Sequence, residues 1–458
     1  MMTHNRFLFL LACLFTANAL PAGDSGTLTR TEAIDLVWAG NYVRFDMLHR
    51  GEHSFIGYYD ANRQLTIAHR YQGTPWVYYK LDSYFGYDSH NYIEMELDDK
   101  GMLHVLANMH NHVLEYFRTT RPYDIRSLRR ITEMANPAVE QKMTYPNFLR
   151  DKSGQLLVKY RDGSSGNGVQ IYNRYDAASQ TWTPLHSEPL IDGEGLMNAY
   201  PKGPTLGPDG RFHLVWVWRD TPDAATNHDL SYARSPDLLS WESAGGVPIP
   251  LPITISTGDI VDPVPVHSGM INGGKSLGFD SQNRPLVAYH KFDEDGWTQI
   301  YLARAMNGKW VTMKITDWKG FRWEFGGKGS LPSFEVRMHG VRAMDDGTMV
   351  IEVKKQGQPL RLTVDEDTLE LLSEEPMKAY PPVLNRYASS PEVILNGMES
   401  EGEAPVFRTL SASTPEHTYY LSWEAQPPNR GQAREDIPPQ STLRLHTFNR
   451  ASTKDPAN

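Results

Sequence analysis

His90 and His110 stand at the two ends of SHNYIEMELDDKGMLHVLANMHNH, residues 89–112, with a DDKG turn between two alternating apolar runs. The next unit repeats the arrangement with Tyr145 in MTYPNF and Arg161 in VKYRDG. A third sets Tyr200 and Lys202 of AYPKGP against Arg219 of VWRD, and others bring Lys275 with His290, His339 with Lys354, and His69 with Arg70. In an antiparallel hairpin the start of one strand and the end of the next share an edge. These side chains are therefore expected at one mouth, with the acidic turns at the opposite face.

Histidine, tyrosine and arginine together suit proton abstraction beside a carboxylate. A cation pressed against a uronate carboxylate stabilises the enolate-like transition state. A base then takes the C5 proton and an acid protonates the departing O4, and a tyrosine lowered by neighbouring cations can serve both steps. Other chemistries fit less well. No serine elbow is present, and the only cysteine, Cys13, lies in the leader-like N-terminus, so acyl transfer is poorly supported. GSSGNG at 163–168 precedes a strand pattern rather than a helix, which argues against a phosphate loop. Two facing carboxylates for glycoside hydrolysis are hard to find: Asp88, Asp162 and Asp220 are the candidates near the mouth. His104 and His213 alternate into strand interiors and read as structural.

The elements that position these residues recur along the chain. Turn chemistry followed by an alternating apolar run appears at 58–71, 96–110, 149–163, 206–220, 279–293, 344–357 and, more loosely, 414–426. A third strand-like piece follows each, from WVYYKLDS through VLEYFRTT and VQIYNRYD to TLRLHTFN, and three of them run on to Trp182, Trp241 and Trp310. Seven such units, at a spacing of about 40–70 residues, predict an all-β, seven-bladed β-propeller, with a β-sandwich or β-helix as the alternatives. Helical periodicity is confined to short stretches near 29–38 and 122–135. Segments 185–198, 243–272 and 314–335 read as loops between blades. TLRLHTFNR could close the ring by joining the first strand in one blade.

The chain has 458 residues, a formal net charge of -10, 11 Trp and 23 Tyr. An acidic body argues against a nucleic-acid coat, and aromatics suit both strands and sugar faces. Residues 1–22 read as a secretory signal peptide, with residues 23–458 as a single propeller domain. A secreted monomer with no disulfide is expected, and lipid anchoring at Cys13 is the less favoured alternative. No segment is long and apolar enough to span a bilayer.

DSHNYIEMELDDKGMLHVLANMHN, TYPNFLRDKSGQLLVKYRDGSSGNG and HLVWVWRDTPDAATNHDLSYARSPDLLSW resemble the BNR-repeat group that contains the propeller-type ulvan lyases, polysaccharide lyase families 24 and 25. The resemblance covers residues 40–370 and is strongest over 88–242. It implies a cleft across one face and eliminative cleavage of ulvan, the sulfated green-algal polysaccharide, between 3-sulfated rhamnose and glucuronic or iduronic acid. It assigns proton transfer to Tyr145 and carboxylate neutralisation to Arg161. His110 assists, and His90 assists or acts as base for the other uronate epimer. Tyr200, Lys202, Arg219 and Lys275 are expected to bind substrate. The chemistry needs no cofactor. A structural metal ion, calcium or zinc, is allowed by the resemblance, with His228, His267 and His290 as candidate ligands. A related hydrolase of rhamnose–glucuronate linkages and a non-catalytic glycan-binding propeller remain as alternatives.

Overall fold

The computed structural model describes residues 26–331, 333–378, 380–389 and 405–450. The expected signal peptide and Cys13 lie outside the described residues. Those described form seven antiparallel sheets of four to six strands, laid down in chain order. Sheet I runs from Asp46–Arg50 to Val77–Tyr84 and sheet II from Glu94–Leu97 to Leu128–Ile131. Sheet III is built mainly on Met143–Arg150, Leu156–Ser164 and Asn167–Asp176, and sheet IV on Asn198–Leu206, Phe212–Arg219 and Asn227–Ser235. Sheet V spans Lys275–Phe279 to Lys309–Lys314 and sheet VI spans Val336–Ala343 to Leu371–Pro376. Sheet VII combines Val406–Ser413, His417–Ala425 and Ser441–Asn449 with the N-terminal strand Thr27–Val37.

The turns form where the sequence places aspartate. Asp60, Asp98, Asp151 and Asp280 each turn one carboxylate oxygen back onto the amides two and four residues ahead, at 2.8–3.0 Å. The side chain thus replaces the backbone acceptors that a tight turn leaves out of reach. The residue three positions after each aspartate takes a left-handed φ. Gly101 and Gly154 adopt it freely, whereas Arg63 and Asn283 hold it with side chains.

Apolar residues of neighbouring sheets merge into shared cores. One cluster joins sheets VII, I and II, and others join II with III, III with IV, IV with V, and V with VI. Sheets I to V each share a core with the sheet on either side, which explains why their central strands are apolar at both phases. Phe212–Arg219, buried throughout, is the extreme case.

Three expectations are corrected. The stretch near 29–38 is strand, because Thr27–Val37 pairs along its length with Ser441–Asn449 and sets Ile34 and Val37 beside Leu443 and Leu445 in the core. The stretch near 122–135 holds one 3-10 turn, Ile125–Ser127, capped by Asp124, and then returns to strand at Leu128–Ile131. His69 and Arg70 do not join the mouth. Sheet I has an additional leading strand, Asp46–Arg50, so the Asp60 turn joins its second and third strands rather than its first and second. His69 and Arg70 therefore emerge at the far end, against His53 (2.9 Å) and Glu32 (2.7 Å). Among the described residues no helix is long and apolar enough to cross a membrane.

Candidate functional site

The hairpin that raised the question is shorter than its two histidines suggest. Glu94–Leu97 pairs with Leu103–Leu106, His90 precedes the first strand, and His110 lies beyond the second. His110 opens a separate short strand, His110–His112, which pairs with Met143–Arg150 of sheet III. Sheets II and III are thereby stitched together at the site, and the two rings meet with centroids 4.2 Å apart.

Asp88 holds both rings. Its Oδ1 lies 2.6 Å from His90 Nδ1 and its Oδ2 lies 2.5 Å from His110 Nδ1, while Oδ1 also accepts from the His90 amide at 3.0 Å. Ser330 reaches in from the segment before sheet VI and lies 3.2 Å from His90 Nδ1. Burial works to raise the Asp88 carboxyl, but the hydrogen bonds from His110 and His90 outweigh it and hold the group well below the usual carboxylate range. Burial lowers His110 despite Asp88. Asp88 is thus the ionised partner. As an acceptor it fixes the proton of His110 on Nδ1, which leaves Nε2 with a free lone pair.

Tyr145 sits on a bulge. Its φ is 56°, and the pairing with Leu156–Ser164 slips between Thr144 and Asn147. A bulge re-aims the side chain it carries. Here it turns the phenol ring to 5.6 Å from both His90 and His110. Arg161, from the adjacent strand, places its guanidinium 5.1 Å from the Tyr145 ring centre and 5.7 Å from that of Tyr200. The Tyr200 hydroxyl accepts from Arg161 Nη1 at 3.4 Å and Arg219 Nη1 at 3.5 Å, and donates to Ser165 Oγ at 3.1 Å.

The two phenols are shifted in opposite directions. Burial and then Tyr200 push the Tyr145 pKa up, beyond what Arg161 offsets, so Tyr145 is a protonated phenol. At Tyr200 burial also raises, but Arg161 and Arg219 together outweigh it and the pKa falls below the ordinary value. The expectation that neighbouring cations lower Tyr145 therefore applies to Tyr200 instead.

His90, His110, Tyr145, Arg219 and Ser330 face a cavity of about 880 Å³, within the range of ligand sites, whereas Tyr200, expected to bind substrate, does not line it. His90, His110, Tyr145 and Arg219 line one wall, and Arg337, His339, Lys354, Lys378 and Arg408 line the other. No aspartate or glutamate lines it among the described residues. Arg161 is only 1% exposed and acts from behind the tyrosines. Lys202 and Lys275 do not line the cavity. Their ammonium groups turn inward to backbone carbonyls, Lys202 to Lys275 O (3.2 Å) and Lys275 to Asn272 O (2.7 Å).

The metal candidates do not converge. His228 spends its two ring nitrogens on carboxylates at opposite edges, Asp220 (2.9 Å) and Asp229 (3.0 Å), while His290 is buried against Trp323. None of His228, His267 and His290 belongs to a group of three or more possible ligands among the described residues. Among the described residues, the group whose donor atoms all lie within 4.8 Å of one another is Asp88, His90 and His110. Asp88 was expected only as one of three candidate carboxylates near the mouth, and Ser330 was not expected. The Asp-x-His spacing of Asp88 and His90 was the available signal for the first; nothing local marks the second. His104 and His213 are structural as expected, buried with Nδ1 on the hydroxyls of Tyr116 (2.7 Å) and Tyr232 (2.5 Å).

Comparison with known proteins bears on the family and the fold. The profile described as "BNR repeat-containing family member" matches residues 53–318. The long isoform of an ulvan lyase from Glaciecola sp. (strain KUL10) is 34% identical over 62 residues, 14% of this chain and 6% of that protein. The short isoform from Alteromonas sp. (strain LOR) is 38% identical over 61 residues, 13% of this chain and 12% of that protein. The matched stretch thus spans only a small part of these relatives. Two solved structures share the fold: the polysaccharide lyase Uly1 (TM-score 0.62, 13% identity, 92% of this chain and 99% of that one) and a PL25 ulvan lyase (0.59, 12%, 92% and 98%). The chain belongs to the BNR repeat-containing family.

Proposed function

We propose that this protein is a secreted polysaccharide lyase that cleaves ulvan between 3-sulfated rhamnose and a uronic acid, with its seven sheets arranged as the blades of a propeller. The observation that carries the reading is the convergence of His90, His110 and Tyr145 on one wall of a cavity that cations line and no described carboxylate enters. A PL25 ulvan lyase has been solved bound to -[GlcA(1-4)Rha3S]-, an acidic, sulfated ligand of the kind such a cavity suits. The seven sheets in chain order, the last completed by the first strand, support the propeller.

In the proposed reaction His110 Nε2 removes the proton from C5 of the uronate. The C5–H electrons form the C4=C5 double bond, the C4–O4 bond breaks, and the Tyr145 phenol gives its proton to O4. Asp88 stabilises the imidazolium as it forms. Arg219 from the cavity wall, and Arg161 from behind the tyrosines, oppose the negative charge that builds on the carboxylate. Tyr145 is assigned the acid step because burial keeps its phenol protonated. Hydrolysis of the same linkage would need a second, facing carboxylate, and the cavity offers none among the described residues.

The test is incubation of the purified protein with ulvan while ultraviolet absorbance of the unsaturated uronate and reducing ends are followed together. Both should rise in step. Reducing ends without absorbance would identify a hydrolase, and binding without either a glycan-binding module.

A further inference from the structure

Tyr200 and Lys202 lie two residues apart on a strand whose pairing is regular between them, so they project from the same face. Lys202 therefore lies one step along the strand from the tyrosine. There it meets two lysines from the flanking sheets. Lys159 of sheet III donates to Gly203 O, beside Lys202, and Lys202 reaches Lys275 O (3.2 Å) and Ser276 Oγ (3.4 Å) of sheet V. The Lys275 ammonium donates to Asn272 O at 2.7 Å, and the residue is 2% exposed.

The three ammonium groups lack the carboxylate partner that Lys80 and Lys291 have in Asp60 (2.5 Å) and Asp262 (2.7 Å). Lys159, Lys202 and Lys275 have no carboxylate ion-pair partner among the described residues. The carboxylate that acts on Lys159, Glu94, is already engaged by Arg44 and by Asn147 Nδ2 (2.8 Å). Each ammonium carries three N–H donors, and the contacts above use one, two and one of them. Lys275 is buried while Lys159 and Lys202 are half-buried beside it, and like charges gathered around a buried ammonium favour its discharge or a counter-ion.

We propose that Lys159, Lys202 and Lys275 form an anion site at the junction of sheets III, IV and V, separate from the cavity, that takes a small inorganic anion such as sulfate, phosphate or chloride. The bound ion satisfies the remaining N–H donors and keeps the three side chains charged. Without it, burial lowers Lys159 and Lys202 to about 8, and burial with Lys202 and Lys159 nearby lowers Lys275 to about 7. Affinity for the anion therefore falls as pH rises through this window.

Thermal unfolding at pH 6 and fixed ionic strength, with inorganic sulfate replacing a bulky organic anion, tests the site. A saturable rise in Tm of about 2 °C or more is expected. Lys202→Arg should retain the saturable response, and Lys202→Met should lose it. Should Lys202→Met not fold, Lys159→Met replaces it with the same expectation. Rhamnose 3-sulfate, which the cavity takes under the proposed function, should give a response that Lys202→Met leaves unchanged, since these lysines lie off the cavity. Crystals soaked in bromide should show an anomalous peak in contact with the Nζ atoms of Lys202 and Lys275. A linear, non-saturating response, an equal response to free sulfate in the methionine variants, loss of the sugar-sulfate response in Lys202→Met, or no bromide at these atoms would each overturn the proposal.

Discussion

His90 and His110 lie with ring centroids 4.2 Å apart and planes tilted by 37°, and both set Nδ1 on one carboxylate, Asp88. Two imidazoles this close would repel if both were charged. A shared anion between them lets them approach and sets which nitrogen of His110 is left to react.

Replacing Asp88 with Asn keeps the size of the side chain and removes its charge. The amide can donate to Nδ1 and reverse the tautomer, as well as withdrawing support from the imidazolium. Turnover on ulvan should fall about 10²–10⁴-fold, with a smaller change in KM, measured by steady-state release of unsaturated uronate. An unchanged kcat would remove Asp88 from the mechanism.

Tyr145→Phe removes the proposed acid and leaves the ring between its neighbours. A loss of about 10²–10⁴-fold in kcat is expected, with the far-ultraviolet circular dichroism unaltered. Combined with Asp88→Asn, the second change should cost far less than it does alone, because the two residues serve one step.

Tyr200 should be the first of the site phenols to ionise. Burial opposes this, but Arg161 and Arg219 prevail at Tyr200, whereas they do not at Tyr145. An ultraviolet difference titration should show an early tyrosinate transition that Tyr200→Phe abolishes. Persistence of that transition in Tyr200→Phe would place the low phenol elsewhere.

Stability should decline on mild acidification. Burial lowers His49 to about 3, and His69, His290 and His446 to about 4, and lowers His110 as well. Each group binds its proton in the unfolded chain at a higher pH, near ~6.5, than in the folded one. Between these values the unfolded state takes up more protons, so its share grows as pH falls. Tm should drop steeply from about pH 7 towards pH 4. The pH–rate profile should likewise keep its acidic limb below the ordinary histidine range, since His110 must be neutral to act. A limb above ~6.5 would contradict this.

The Asp98 turn offers a stability test remote from the cavity. Asp98 is 2% exposed, accepts from the amides of Lys100 and Met102, and stands 3.7 Å from His104 Nε2. Asp98→Ala strands a buried amide and should cost about 1–3 kcal/mol in denaturant unfolding, with ulvan cleavage at permissive temperature retained.

The repeated turns were legible because aspartate closes them through amides two and four residues away, within one short stretch. The third strands, and the fourth strands bearing Trp182, Trp241 and Trp310, were legible from alternation for the same reason. Convergence of His90, His110, Tyr145 and Arg161 followed from hairpin geometry. Contacts between sheets did not. His110 pairs with a strand more than thirty residues ahead, and Ser330 comes from the far side of the chain. The long stems of Lys202 and Lys275 carry their charges away from the rim where their positions pointed. The stretch near 29–38 showed a helical rhythm, but its state is decided by a partner at the opposite end of the sequence.

That partnership governs the order of assembly during synthesis. Thr27–Val37 leaves the ribosome early, while Ser441–Asn449, the neighbour that covers its edge, emerges only after the other six sheets have been translated. Until then the early strand carries open donors and acceptors able to recruit a stray strand from another nascent chain. The vulnerable interval is therefore the whole of translation, and fastening of the final sheet is the event that ends it.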